Sequence, residues 1–225
     1  MTSQLLPLGW AVLGAGLGWG VGRLCLGLER WTGLVREPEA GERMGPTWLE
    51  RWALPVLGAA TFALFAARQG LTTALLIHSL WLLVMLQVLI FDLKHRLILD
   101  AVTFPTLVGA LVLAHWSPPV TLDASMLGAL FGGGVLLPLA VISDLLHGGR
   151  GFGWGDVKLG MVIGAVTGLN FASGDLFTLQ ALLAGALIGG VVSVALLATR
   201  RRGLRDGVPY GPFLAVGAVI TLLFM

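Results

Sequence analysis

Long apolar runs recur along the whole chain, and they constrain its fold more than any other feature of the sequence. A helix that crosses a membrane needs about 20 apolar residues, and the runs lack the apolar–polar alternation of a transmembrane β-barrel. The sequence therefore predicts an all-α fold, a polytopic membrane bundle of about eight transmembrane helices. The predicted spans are, approximately, 5–28, 52–68, 71–91, 101–115, 124–146, 157–169, 178–198 and 208–224.

The composition excludes several soluble classes of protein. Of the 225 residues, 56% are hydrophobic and only 12% are charged, whereas an ordinary soluble domain carries about 25% charged residues. The single cysteine, Cys25, can form neither an internal disulfide nor a Cys-x-x-Cys pair. We therefore expect the lipid bilayer as a partner and no nucleic acid, and the sequence assigns no oligomeric state.

The basic residues lie almost entirely in the loops that follow odd-numbered spans. Those loops, together with the span ends that adjoin them, hold all but one of the 14 Lys and Arg residues, the exception being Arg68. Loops rich in basic residues stay on the cytosolic side of a membrane. We therefore expect a multi-pass protein whose odd loops face the cytosol and whose two termini lie outside.

Four aspartates lie at the predicted cytosolic ends of spans, namely Asp92, Asp100, Asp144 and Asp156. An ionisable group near membrane depth is costly and marks a functional site by default. Asp100 directly precedes a span, where a helix N-cap is the better interpretation. Asp144 is interpreted as a solvated helix end or as the partner of a nearby basic residue.

Asp92 and Asp156 suggest a catalytic pair, although 64 residues separate them in the sequence. Two carboxyls a few ångströms apart do not both ionise easily, so one stays protonated and the other becomes a base. Such a pair can activate water and protonate a leaving amine. Capping of a helix is an equally open interpretation for Asp156. We expect Gly153 and Gly155 to take backbone conformations closed to other residues and to let a substrate strand approach.

Three segments resemble the motifs of one family, the type IV prepilin peptidases. Residues 91–100 (Phe-Asp-Leu-Lys-His-Arg-Leu-Ile-Leu-Asp) resemble the first aspartate motif of that family. Residues 149–159 resemble its Gly-x-Gly-Asp motif with the flanking Lys-Leu. Residues 208–215 (Val-Pro-Tyr-Gly-Pro-Phe-Leu-Ala) are similar to its closing Pro-Phe-Gly-Pro-Phe segment, and the whole resemblance covers about residues 52–225.

The resemblance implies a membrane aspartic endopeptidase in the cytoplasmic membrane of a bacterium or archaeon. Its substrates would be prepilins of a type IV pilus or pseudopilins of a secretion system, cut at the cytosolic membrane face to remove a short basic leader. The candidate site residues are Asp92 and Asp156 as the catalytic pair, Gly153 and Gly155 for substrate binding, and Asp100 and Lys158 in support.

The chain departs from the family pattern in its first part. Many bacterial members carry a cytosolic insert with two Cys-x-x-Cys pairs for zinc, and they also methylate the new N-terminus of the pilin. Here the loop after the first span is short and Cys25 is the only cysteine, so we expect no cofactor, neither zinc nor S-adenosylmethionine. We predict a single membrane domain over 1–225, with a first helix and short loop over 1–51 and an aspartic peptidase core over 52–225.

Other functions stay open alongside the peptidase. A small proton-coupled transporter could use Asp92 and Asp156 as a relay, but it predicts acids in mid-span rather than at one membrane face. A non-catalytic assembly protein is disfavoured because both aspartates are present. A presenilin-like protease uses the same two-acid chemistry, and the closing segment favours the prepilin branch over it.

Overall fold

The computed structural model describes residues 2–34, 49–117, 119–147, 152–199 and 209–225. Each predicted span corresponds to an α-helix in this part of the chain, and no strand longer than an isolated bridge between Asn170 and Asp175 occurs in it. The all-α prediction is therefore confirmed. The helices are α1 (Thr2–Thr32), α2 (Leu54–Gln69), α3 (Thr73–His95), α4 (Asp100–Leu113), α5 (Leu122–His147), α6 (Trp154–Thr167), α7 (Phe177–Ala198) and α8 (Gly211–Phe224).

Four of these helices are long and apolar enough to cross a membrane: α1, α3, α5 and α7. Their outward faces are apolar as well. On α7, Leu183, Leu187, Val191 and Val194 recur at helical spacing and are each more than half exposed. Such a stripe is unfavourable in water and suits contact with acyl chains. The helices therefore form a polytopic membrane protein.

The chain divides into two compact units, Met1–Ile90 and Phe91–Met225, and the boundary falls inside α3. The domain limits at 51 and 52 stay a prediction. In the first unit, α1 packs against α2 at glycines, since a Cβ on Gly14 would overlap the carbonyl oxygen of Gly58. In the membrane, small residues of this kind let helix backbones approach closely.

In the second unit, α6 is the central helix and packs against α4, α5, α7 and α8. Ten of its 14 residues are buried. The closest approach is to α5, where Gly164 faces Gly128 and Gly160 faces Gly132 with no room for a Cβ. This packing fixes the N-terminal end of α6, where the Gly-x-Gly-Asp segment lies.

Candidate active site

The structure brings Asp92 and Asp156 into one site of the second unit. Asp92 lies in the last turn of α3 and Asp156 in the first turn of α6. Both are buried, with 5% and 8% of their surface exposed, and the charge of Asp156 acts on Asp92. Helix packing therefore places together two acids that are far apart in the sequence.

Asp156 is held by the backbone that precedes α6. The Gly153 N–H donates a hydrogen bond to Asp156 Oδ2 at 2.9 Å, and the Asp156 N–H donates to the Gly153 carbonyl at 3.1 Å. This reciprocal pair satisfies amide groups that a helix start leaves free. Burial raises the pKa of Asp156 to about 6, and the hydrogen bond from Gly153 opposes that rise. Asp156 can both cap α6 and take part in catalysis, because the carboxyl that accepts the hydrogen bond from Gly153 is also close enough to Asp92 for its charge to act there.

Asp92 is held by the start of α8. The Gly211 N–H donates a hydrogen bond to the Asp92 carboxylate. A Cβ on Gly211 would lie 2.6 Å from Asp92 Oδ2, so only glycine lets the start of α8 approach this closely. Sequence reasoning did not identify Gly211 as a site residue. The available signal was its position inside the Pro-Tyr-Gly-Pro-Phe segment.

Ile98 packs between the two backbone segments that hold the acids. A Cβ on Gly155 would lie 3.1 Å from Ile98 Cβ, and one on Gly211 would lie 3.2 Å from Ile98 Cδ1.

The prediction that Gly153 and Gly155 adopt conformations closed to other residues is wrong. Gly153 has φ −99° and ψ 158°, and neither glycine has a positive φ. Gly155 is instead limited by its contact with Ile98.

Asp100 and Lys158 pair with each other at the edge of the site. Lys158 Nζ lies 2.6 Å from Asp100 Oδ1, with side chains 35% and 55% exposed, and it also lies 5.6 Å from the Phe104 ring centroid. An ion pair this exposed contributes about 0–1 kcal/mol to the stability of the fold.

The N-cap of α4 is Leu99, so the interpretation of Asp100 as the cap is wrong by one residue. Asp144 is exposed in the last turn of α5.

Within the described ranges, no group of three or more His, Cys, Asp or Glu side chains could hold a metal ion. The groups that the site presents are its two carboxyls and the backbone N–H groups that bind them. The ends of α3, α6 and α8 meet here, since Asp92, Gly153 and Gly211 belong to or adjoin those helices. Two interacting buried carboxyls of this kind can share one proton and act as acid and base.

Comparison with known proteins identifies the family. The model of the type IV leader peptidase family matches residues 76–194, a range that contains both aspartates. Three curated relatives, each named prepilin leader peptidase/N-methyltransferase, are 31% identical over 135 residues in Pseudomonas aeruginosa, 32% over 169 residues in Aeromonas hydrophila and 30% over 175 residues in Bacillus subtilis.

These alignments cover 60%, 75% and 76% of this chain but only 44%, 55% and 65% of the relatives. The chain thus spans about half to two thirds of the length of the curated proteins that it matches. No solved structure matches the chain. Because the family model covers more than half of the sequence, including the segments that hold Asp92 and Asp156, this chain belongs to the type IV leader peptidase family.

Proposed function

We propose that the protein is a membrane aspartic endopeptidase that removes the short basic leader from type IV prepilins or pseudopilins. The observation that carries this proposal is the pair of buried, interacting carboxyls of Asp92 and Asp156 in a chain of this family. The relatives named for prepilin cleavage support the substrate class.

The reaction needs one protonated and one ionised carboxyl. The ionised carboxylate removes a proton from water, and the water oxygen bonds to the carbonyl carbon of the scissile peptide. The protonated carboxyl donates its proton to the leaving nitrogen as the carbon–nitrogen bond breaks. The products are a new carboxyl on the leader and a new amine on the pilin. These reaction steps require neither zinc nor S-adenosylmethionine, and N-methylation of the pilin is not part of the proposal.

The substrate lies extended beside the segment before α6. Gly153 lies just before α6 and Gly155 in its first turn, and neither carries a side chain that would keep the substrate backbone away from the carboxyl of Asp156. At the rim, the ion pair of Asp100 and Lys158 connects α4 to α6 and supports the position of Asp156.

The site faces the cytosol in this proposal. Lys94 and Arg96 adjoin Asp92, and Lys158 adjoins Asp156, so basic residues cluster at the end of the unit that carries the acids. Basic loops mark the cytosolic side. The protein is accordingly a multi-pass protein of the cytoplasmic membrane of a bacterium or archaeon, with both termini outside.

Cleavage of a co-expressed prepilin, followed on a gel that resolves the leader, tests the proposal. Asp92→Asn and Asp156→Asn should each reduce cleavage at least about a hundredfold, because an amide can neither accept nor donate the required proton. Asp144→Asn is the matched control, since Asp144 is an exposed acid at the end of α5. That variant should keep wild-type activity at equal membrane levels.

Three results would contradict the assignment. Cleavage that persists in either dyad variant would mean that the catalytic pair is wrong. Loss of cleavage in Asp144→Asn would also mean that the wrong acids were chosen. Failure of the wild-type protein to cut any of several prepilins would remove the peptidase proposal itself and return attention to a proton relay.

A further inference from the structure

Ser143 is a buried hydroxyl residue near the end of α5, among neighbours that are exposed. From residue 141 to residue 146 every other side chain is exposed, whereas Ser143 is only 9% exposed. Leu136 and Ala140 are buried too, and they precede Ser143 at helical spacing. This face of α5 packs against α6, since a Cβ on Gly160 would lie 2.6 Å from Leu136 Cδ1. Ser143 therefore places a polar group on a helix face that is otherwise apolar.

The Ser143 hydroxyl binds the backbone of the segment that precedes α6. Its Oγ accepts a hydrogen bond from the Phe152 N–H at 2.8 Å. Phe152 directly precedes Gly153, the N-cap of α6. A backbone N–H that is turned away from water needs an acceptor, and an alanine or leucine at position 143 would supply none. The bond therefore attaches the backbone just before α6 to the neighbouring helix α5.

Holding Phe152 also holds the group that binds Asp156. The next amide along the chain is the Gly153 N–H, which donates to Asp156 Oδ2 at 2.9 Å. Glycine has no Cβ to restrict its backbone, so the local sequence does little to fix the direction of this N–H. That direction depends instead on the contacts that hold the residues on either side of Gly153.

The ring of Phe152 makes a second contact, with the segment that holds Asp92. Its centroid lies 5.2 Å from that of Tyr210, a distance at which aromatic pairs stabilise each other. Tyr210 directly precedes Gly211, whose N–H donates to the Asp92 carboxylate. Phe152 is thus bound to α5 through its N–H and to the start of α8 through its ring.

We propose that Ser143 is a positioning residue of the dyad, which holds the Phe152 N–H and thereby keeps the Gly153 N–H directed at the carboxyl of Asp156. This inference rests on the proposed peptidase function. The Ser143 hydroxyl acts through the backbone, so it is not a catalytic group. Without it, the segment before α6 loses its attachment to α5, and Asp156 loses part of the hydrogen bond that favours its ionised form.

A neutral substitution at Ser143 leaves every charge around Asp156 in place. Among the side chains that the structure describes, the ionisable ones at this end of the second unit come from α3, α4, α5, α6 and the segments that adjoin them: Asp92, Lys94, His95, Arg96, Asp100, Asp144, Lys158 and Tyr210. Helix α7 contains no ionisable residue. A shift in the titration of Asp156 in Ser143→Ala would therefore come from the backbone and not from a changed charge.

Ser125→Ala is the matched control. Ser125 is also a buried serine of α5, and its Oγ donates to the Ala165 carbonyl of α6 at 2.6 Å. It lies at the opposite end of α6 from Asp156, which is in the first turn of that helix. A general loosening of α5 from α6 should therefore appear in both serine variants, whereas an effect on the dyad should appear only in Ser143→Ala.

The pH profile of leader cleavage tests the inference. Ser143→Ala should raise the pKa of Asp156 further, because the bond from Gly153 opposes the rise that burial causes. One limb of the kcat/KM profile should move to higher pH by about half a unit, which changes activity about threefold at a fixed pH on that limb. Ser125→Ala should keep the wild-type profile. Identical profiles for wild type and Ser143→Ala, or equal shifts in both variants, would overturn the inference and leave the peptidase proposal intact.

A second measurement needs no substrate. Hydrogen–deuterium exchange of the purified protein in detergent, read by mass spectrometry of peptides that contain residues 152–156, reports how firmly this segment is held. Exchange there should be about fivefold faster in Ser143→Ala than in wild type, which is the effect of losing one hydrogen bond, and unchanged in Ser125→Ala. Unchanged exchange in Ser143→Ala would overturn the inference even if the wild-type protein had cut no prepilin.

Discussion

At the scale of the residue, the burial of Asp156 has a consequence for folding that is separate from catalysis. Its pKa is about 6 in the folded protein and 3.8 as the reference value, so folding favours the protonated form. Stability from this group is fully present below pH 3.8 and is lost as the pH rises through 6. The free energy of unfolding of the wild-type protein therefore falls across that window.

Asp156→Asn should stabilise the protein at pH 7.5, by at most about 3 kcal/mol, because the amide carries no charge to bury. At pH 4 the two proteins should unfold at nearly the same temperature, since the wild-type carboxyl is then protonated in the folded state and only a small part of the difference has developed. Unfolding in detergent can be followed by the fluorescence of the eight tryptophans. The exposed Asp144→Asn should show no such pH-dependent difference. A gain in Asp156→Asn that was equal at both pH values would mean that burial of the charge is not its cause.

Single residues of the site differ in how far the sequence could predict them. Asp92 and Asp156 were predictable because a carboxyl at the end of an apolar run costs free energy to place near the membrane and therefore marks a functional site. The sequence did not predict the roles of Gly211 and Ile98. These roles arise from contacts of α3 and the segment before α4 with α6 and α8, which no local pattern encodes. Gly155 was selected for its backbone freedom, whereas its actual constraint is the contact with Ile98.

At the scale of the element, the contact between α5 and α6 decides where Asp156 lies. A Cβ on Gly164 would overlap the carbonyl oxygen of Gly128 and would lie 2.9 Å from the Ala129 nitrogen. These are backbone atoms, so the helices must separate to accept it. Gly164→Ala should therefore destabilise the protein by about 1–3 kcal/mol and also lower leader cleavage.

The matched control for that substitution is Gly134→Ala in α5, where a Cβ meets nothing within 4 Å. Replacing glycine by alanine favours a helix by about 1 kcal/mol, so this variant should be as stable as wild type or slightly more so. Thermal unfolding in detergent separates the two. Equal stability of both variants would show that α5 and α6 can separate at Gly164 without cost.

The helices themselves were predictable in number and order, because each apolar run needs hydrogen-bonded backbone inside a membrane. Their ends were less so. The eighth run was predicted to begin at 208, but α8 begins at Gly211, where Pro212 occupies one of the first helical positions. The fourth run was predicted over 101–115, yet α4 ends at Leu113 and continues as one 3₁₀ turn, Ala114–Trp116. Hydropathy shows how long an apolar segment is, but it does not show at which residue the helix is capped and so begins or ends.

At the scale of the whole molecule, the order of the helices and the distribution of charge indicate the same membrane side for the site. Asp92 ends an odd-numbered helix, whereas Asp156 begins an even-numbered one. Both therefore belong to loops that the basic residues assign to the cytosol. In a bundle of alternating helices these two ends are expected on the same side of the membrane, and an error of one helix between them would place the acids on opposite sides.

Cysteine labelling tests this orientation. The single native cysteine, Cys25, is buried and can be replaced by Cys25→Ala. In that background, Ser173→Cys lies in the exposed loop between α6 and α7, and Asp144→Cys lies at the exposed end of α5. An impermeant maleimide should label Ser173→Cys in intact spheroplasts and Asp144→Cys only after lysis, because the two positions flank opposite ends of α6. Labelling in the reverse order would place the dyad outside, where it could not meet a leader that is still in the cytosol, and the proposed function would fail with the topology.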